Sequence, residues 1–177
     1  MPKHVAGQLK EIVYAQFEPG EDLLEGIKAV VTERGITAGA ILSVTGGLSQ
    51  ARFSSFPHPG PIETTAIEYF TVPGPLEASG HGVIGVSKLD DTPYVHLHLT
   101  VANREETIMG HVEPGTIVRS LISRTKFTIA MADVSGVRFE LHEEERPADA
   151  PPFENWRDDR GWPVEPLYHL LEPSSTP

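Results

Sequence analysis

The chain has 177 residues, with 16 Gly, 16 Pro, no Cys, and 25 acidic against 14 basic side chains for a formal net charge of -11. That length is one domain plus room for an appendage. The absence of cysteine excludes a disulfide scaffold, a zinc ribbon, a thiol nucleophile and a CxxC redox site, so any metal must be held by histidine and carboxylate. No apolar run approaches the roughly 20 residues of a membrane span, and Met1 to Gln8 lacks the apolar core of a signal peptide. The expectation is a soluble, cytoplasmic protein with no membrane partner. Nucleic-acid binders neutralise phosphates with clustered Lys and Arg, and here the densest stretch, Arg119 to Lys126, has three positive residues in eight. The charge argues against a nucleic-acid partner.

In chain order, Gln8 to Phe17 reads as a strand of imperfect alternation, broken by Pro19-Gly20-Glu21-Asp22. Asp22 suits an N-cap, and Leu23, Leu24, Ile27, Val30 and Val31 recur on one face of a helix that stops at Gly35. Strand signals follow: Ala40 to Val44, a Thr45-Gly46-Gly47 turn, Leu48 to Phe53, and Ile62 to Phe70 after a His58-Pro59-Gly60-Pro61 loop. Val72-Pro73-Gly74-Pro75 punctuates again. Leu76 to Val86, an Asp90-Asp91-Thr92-Pro93 turn, Tyr94 to Val101, a polar tip Asn103 to Glu106, Thr107 to Val112, Phe127 to Met131 and Val137 to Leu141 complete the body. One main helix with hairpin-connected strands predicts an α+β fold with a mostly antiparallel sheet.

Residues 1–142 carry 16 acidic and 11 basic groups, whereas residues 143–177 carry 9 and 3, together with 7 of the 16 prolines and 4 of the 13 aromatics. The tail is a different kind of sequence. Its prolines oppose a long helix or a central strand, and its aromatics set it apart from a disordered tail. We expect an extended C-terminal arm that docks Trp156 and Trp162 on its own body or on a neighbouring subunit. The Glu143-Glu144-Glu145 run is a solvated boundary to it.

Gly80-His81-Gly82-Val83-Ile84-Gly85 matches the dinucleotide fingerprint letter for letter. That fingerprint needs a helix to open at the loop, but Val86 to Pro93 runs into a turn. Glycine there is expected to allow close approach of a neighbouring chain or ligand, or a bulge. The histidines carry more. In Tyr94 to Leu99, alternation puts His96 and His98 on one face and Val95, Leu97 and Leu99 on the other. If Asn103 to Glu106 is the hairpin loop, Ala102 faces Thr107, His98 faces His111 and His96 faces Glu113. Three imidazoles then converge, as in a zinc site with three histidine ligands and one open position. A slip of one residue would turn His111 to the opposite face. Three histidines do not choose among zinc, nickel, copper and iron.

A symmetrical Asp90-Asp91 turn puts His81 on the same face two or three positions away, where it would ligate, orient substrate or shuttle a proton; the alternative is an ordinary core or surface histidine. Glu113 is a fourth ligand, a general base or the start of a Glu113-Pro114-Gly115 turn. His4, His58, His142 and His169 have no converging partners. No G-x-S-x-G elbow, P-loop or HExxH occurs.

With these residues in hand, the chain resembles the PPC ("plants and prokaryotes conserved") domain family in its stand-alone prokaryotic form. The resemblance spans about residues 8–142 and rests on Pro19-Gly20-Glu21-Asp22-Leu23-Leu24, on Gly39-Ala40-Ile41 to Gly46-Gly47-Leu48, and on His96-Leu97-His98 followed by Gly110-His111. It implies an antiparallel sheet with one main helix, a homotrimer, and a divalent metal, usually zinc, at His96, His98 and His111 near a subunit boundary. The segment from residue 143 lies outside the resemblance, and no Arg-Gly-Arg-Pro AT-hook is present.

The resulting expectation is a metal-dependent protein, of hydrolase or lyase type, acting on a small carbonyl or carboxylate compound. Glu113 or His81 would move the proton, and Arg52 or Arg119 would bind a carboxylate. The competing expectations are a DNA-binding or regulatory module, as the family name suggests, and a metal-dependent ligand sensor without turnover.

Overall fold

The structure, a computed structural model, describes residues 2–55, 68–88, 90–119, 126–143 and 167–173. The His58 to Pro61 loop, the start of the Ile62 strand, and Phe153, Trp156 and Trp162 of the arm lie outside the described residues. Nine strands and one helix are seen among those described: β1 (Gln8–Phe17), α1 (Leu23–Arg34), β2 (Gly39–Ser55), β3 (Glu68–Ser87), β4 (Pro93–Ala102), β5 (Thr107–Val112), β6 (Ile117–Val118), β7 (Phe127–Ser135), β8 (Val137–Glu143) and β9 (Leu167–Pro173).

The helix begins and ends for local reasons. Asp22 has extended φ/ψ, and its Oδ1 accepts from the backbone N–H of Leu24 and Glu25 at 3.0 and 3.1 Å. At the other end Gly35 adopts the left-handed region, φ 64°, and its N–H returns to the carbonyls of Val31 and Thr32. Leu23, Leu24, Ile27 and Val31 are buried on one face, so the periodic apolar stripe is the face that enters the core. The second Asp22 oxygen, Oδ2, accepts from Gly115 N–H, while Leu23 N–H donates to Thr116 O. The helix start is thereby fastened to the segment that follows β5.

The strands form one mixed, mostly antiparallel sheet in the order β1-β7-β2-β5-β4-β3-β8-β9, with β6 on β2 and a further β2–β3 pairing. The β3–β8 contact, Val86 to Glu140 and Ser87 to Leu141, is parallel. β2 and β3 pair from Gly39/Ile84 to Ser55/Glu68, β4 pairs with β3, and β5 returns to β2 through Phe53/Val112 and Ser54/His111. The strands β2, β3, β4 and β5 therefore close on themselves. Inside are Phe53, Leu48, Leu97, Leu99 and Ile84, together with Ile27, Ile129 and Phe127, all fully buried.

Two expected breaks are continuous strand. Thr45-Gly46-Gly47 stays paired with Ser79, Ala78 and Glu77, because Gly46 is a place of close approach: a Cβ there would strike the ring of Phe127. Val72-Pro73-Gly74-Pro75 stays within β3, and a register shift between Leu48 and Gln50 of β2 absorbs it. Glycine and proline signalled a bulge and a contact, not turns.

The arm's last described segment, β9, pairs antiparallel with β8 at the sheet edge, from Val137/Pro173 to Glu143/Leu167. Composition had not indicated a strand there. Beneath it Glu140 is buried and accepts from Arg138 Nε, His142 Nε2 lies 2.8 Å from it, and Lys88 Nζ lies 3.7 Å away. Its partners, Arg138 first, hold its carboxyl below the usual range. No described helix is long and apolar enough to cross a membrane.

Replacing Asp22 by Ala removes the cap and the clasp on Gly115 together. Urea unfolding is expected to show a loss of about 1–2 kcal/mol, the upper part of the range for N-cap deletions. An unchanged midpoint would mean that the helix start is held by packing alone.

Candidate functional site

The alternation of β4 is complete: Val95, Leu97, Leu99 and Val101 are buried, and Tyr94, His96, His98 and Thr100 face outward. The hairpin to β5 pairs Ala102 with Thr107 and His98 with His111, the expected register. Asn103 fixes the tip, its Oδ1 accepting from Glu105 and Glu106 N–H at 2.8 and 2.9 Å. His81 stands directly opposite His98 on β3, two or three positions nearer than a symmetrical turn would place it. On the far side Ser54 of β2 pairs with His111. A single row across four strands thus reads His81, His98, His111, Ser54.

The three central rings are in contact. Ring centroids lie 5.0 Å apart for His96 and His98, 4.8 Å for His96 and His111, and 5.4 Å for His98 and His111. His96 Nε2 and His98 Nε2 are 2.9 Å apart, and Tyr94 OH lies 3.4 Å from His96 Nδ1. His111 Nδ1 is buried and has no hydrogen-bond partner; Glu113 Oε1 lies 3.4 Å away without the alignment of a bond. That Glu113 oxygen accepts from Ser54 Oγ at 2.7 Å.

Glycine makes this row possible. A Cβ on Gly80 or Gly82 would strike the carbonyl oxygens of His98 or His96, and one on Gly85 the carbonyl of Phe139. The three glycines of the fingerprint-like motif therefore let β3 lie against β4 and β8, and no described helix follows them.

The donor set suits a divalent transition metal, being three imidazoles with a carboxylate behind one of them. Among the described residues no three His, Cys, Asp or Glu side chains already surround a common point. Two nitrogens on one tetrahedral ion stand about 3.3 Å apart. The 2.9 Å separation is that of a hydrogen bond in which one ring donates and the other accepts, so the rings fit an ion by donor chemistry and proximity. Burial chiefly, then the neighbouring His111 and His81, pushes the His98 imidazole below the ordinary 6.5. It is neutral at pH 7, the form that ligates.

Arg52 is beside this row: Glu113 N–H donates to Arg52 O at 2.9 Å, and Arg52 Nη1 lies 3.5 Å from Pro114 O. Arg119 is elsewhere, lining a cleft with Ala102 and Asn103, about four residues or ~13 Å along β4 from His98. His142 belongs to Glu140, and His4 Nδ1 lies 3.5 Å from Pro2 O. His58 and the side chain of His169 lie outside the described residues. Sequence reasoning missed Ser54 and Tyr94. Tyr94 was available from the same alternation as His96, whereas Ser54 arrives only through the closure of β5 on β2.

A mostly antiparallel sheet with one helix among the described residues, and a histidine row on its outer face, is thus defined. The chain belongs to the Plants and Prokaryotes Conserved (PCC) domain family, whose profile matches residues 4–123. Over 135 residues it is 31% identical to the bifunctional protein GlmU of Synechococcus sp. (strain JA-2-3B'a(2-13)), covering 75% of this chain but only 18% of that protein. The fold is similar to that of a metal-containing protein from Archaeoglobus fulgidus, with TM-score 0.63, 20% identity, and coverage of 78% of this chain and 90% of the other. It is also similar to a candidate DNA-binding protein from Bacteroides thetaiotaomicron, with TM-score 0.58, 18% identity, and coverage of 76% and 88%.

Two outcomes follow from this geometry. In NMR titrations of metal-free protein, the His98 midpoint is expected below 6.5 and should rise in His111→Gln, which removes a positive neighbour. Between that lowered value and 6.5 the unfolded chain binds more protons here than the folded one. The contribution to stability is therefore full above 6.5 and is lost as pH falls through the folded value. Separately, Gly82→Ala must push β3 from β4 and should cost about 1–3 kcal/mol by thermal melt, as other overpacked sites do.

Proposed function

We propose that this chain is a divalent-metal protein in which His96, His98 and His111 hold one ion, zinc foremost, and leave a position open to a small carbonyl or carboxylate compound. The single observation that carries this is the contact of three imidazoles from two strands, one with a buried ring nitrogen that has no partner. Bound there, such an ion would polarise a carbonyl oxygen or lower the pKa of water toward ~7, which suits hydrolase or lyase chemistry.

The chain's own residues divide the remaining work. Glu113, held by Ser54, stands 3.4 Å from His111 Nδ1, where it would steady the ring as the ion binds. His81 is exposed, directly across from His98, and is placed to exchange protons with solvent. Arg52, on the same outward face as Ser54, would take the carboxylate of the bound compound. Assembly as a homotrimer belongs to the proposal. Met109 is 64% and Tyr69 62% exposed beside His111 and Ser54, an apolar surface that a second subunit would cover.

A small molecule is proposed over nucleic acid because six of the described cations are engaged elsewhere. Lys10, Lys28, Arg34, Lys88, Lys126 and Arg138 all pair with carboxylates. Salt-sensitive gel shifts in the micromolar range would reverse this preference.

Metal analysis of the purified full-length chain is expected to give about one transition-metal ion per subunit, with zinc predominant, and loss of most of it in His98→Ala. Native mass measurement should give three subunits. Full occupancy in the folded variant would sink the assignment.

A further inference from the structure

A second site lies midway along β3, at the end of β4. A cleft of about 560 Å³ is lined by Gly74, Pro75, Leu76, Glu77, Ala102, Asn103, Arg104, Glu105 and Arg119. Its volume is within the range of small-molecule pockets. Its floor runs across three strands, because Gly47 pairs with Glu77 and Glu77 with Ala102. Both walls are braced: Asn103 N–H donates to Glu106 O at 3.1 Å, its Oδ1 takes two further N–H groups, and Arg119 N–H donates to Gly47 O at 3.0 Å.

The charges in it are unusual for this chain. Six described cations are spent on carboxylates, and Arg52 lies 3.5 Å from a backbone carbonyl. Arg104 and Arg119, in a chain with surplus acid, make no side-chain hydrogen bond or ion pair among the described residues, and both line the cleft. The same holds for Glu77 and Glu105. Two positive and two negative side chains therefore share one cavity without neutralising one another. Left so, each remains available to a ligand group of opposite charge, and guanidinium favours carboxylate through paired N–H groups.

We propose that this cleft binds a small zwitterion, an amino-carboxylate whose carboxylate lies between Arg104 and Arg119 and whose ammonium faces Glu77 and Glu105. Pro75 and Ala102 provide the apolar floor for its carbon chain. A simple dianion would be repelled by the two glutamates, and a diamine by the two arginines, so neither satisfies all four groups.

Calorimetric titration of the full-length chain with L-glutamine, succinate and 1,4-diaminobutane tests this. Glutamine is expected to bind at least tenfold more tightly than either of the others. Arg104→Gln and Arg119→Gln should each weaken it tenfold or more, and Glu77→Gln should weaken glutamine while leaving succinate equal or tighter. Lys28→Gln, on α1, should change nothing, and glutamine binding in His98→Ala should match the parent, which keeps this site separate from the histidine row. The proposal is overturned by no glutamine binding up to ~10 mM, a concentration already weaker than a millimolar site. It is equally overturned if succinate binds more tightly than glutamine, or if glutamine binds the folded arginine variants as it binds the parent.

Discussion

Gly110 lies over the ring of Phe53, so close that a Cβ at that position would strike the phenylalanine. Phe53 is fully buried at the point where β5 closes onto β2, and only a residue without a side chain can face it there. Because strand side chains alternate with period two, placing Gly110 inward forces His111 outward. A slip of one residue would press an imidazole into Phe53 and turn the glycine to solvent. The same contact that completes the core thus sets the phase of the histidine row, and the Asn103 turn at the other end of the hairpin agrees with it.

From that phase the rest of the outer face follows. β4 delivers His96 and His98, β3 brings His81 opposite, and β2 brings Ser54 with the carboxylate it holds behind His111. The glycines of β3 allow the strands to sit close enough for the row to be continuous. Several carboxylates elsewhere pair with structural cations, most fully at Glu140, where Arg138, Lys88 and His142 gather around one buried group. Six described cations pair with carboxylates, and against them Arg104 and Arg119 in the second cleft stand out.

Legibility varied with the range of the interaction. The helix was readable from Asp22 to Gly35 because its cap, its apolar stripe and its stop are all local. The β4–β5 hairpin was readable for the same reason, since a four-residue tip leaves few registers. The Thr45-Gly46-Gly47 and Val72 to Pro75 segments were misjudged as turns, because the partners that keep them extended lie on distant strands. β6 is two residues long and exists through its pairing with β2 and its bonds to the segment before α1, and β9 pairs with β8 across the intervening tail. His81 was placed on the right face but two or three positions away, because a turn at Asp90-Asp91 leaves the position along the strand loosely set.

By itself the sequence determined the class of fold, the single helix, the absence of any sulfur ligand, and the face on which His96, His98 and His111 lie. These depend on composition, on period and on contacts between near neighbours, all of which are properties of short stretches. Only the tertiary structure decided that β5 closes on β2, that Ser54 and Glu113 stand behind His111, that Arg119 belongs to a different cleft, and that residues 167–173 form a strand at the sheet edge. Those outcomes depend on which distant backbone hydrogen bonds form and which side chains fit between them. No local pattern encodes that choice, because it is made by packing the whole chain at once.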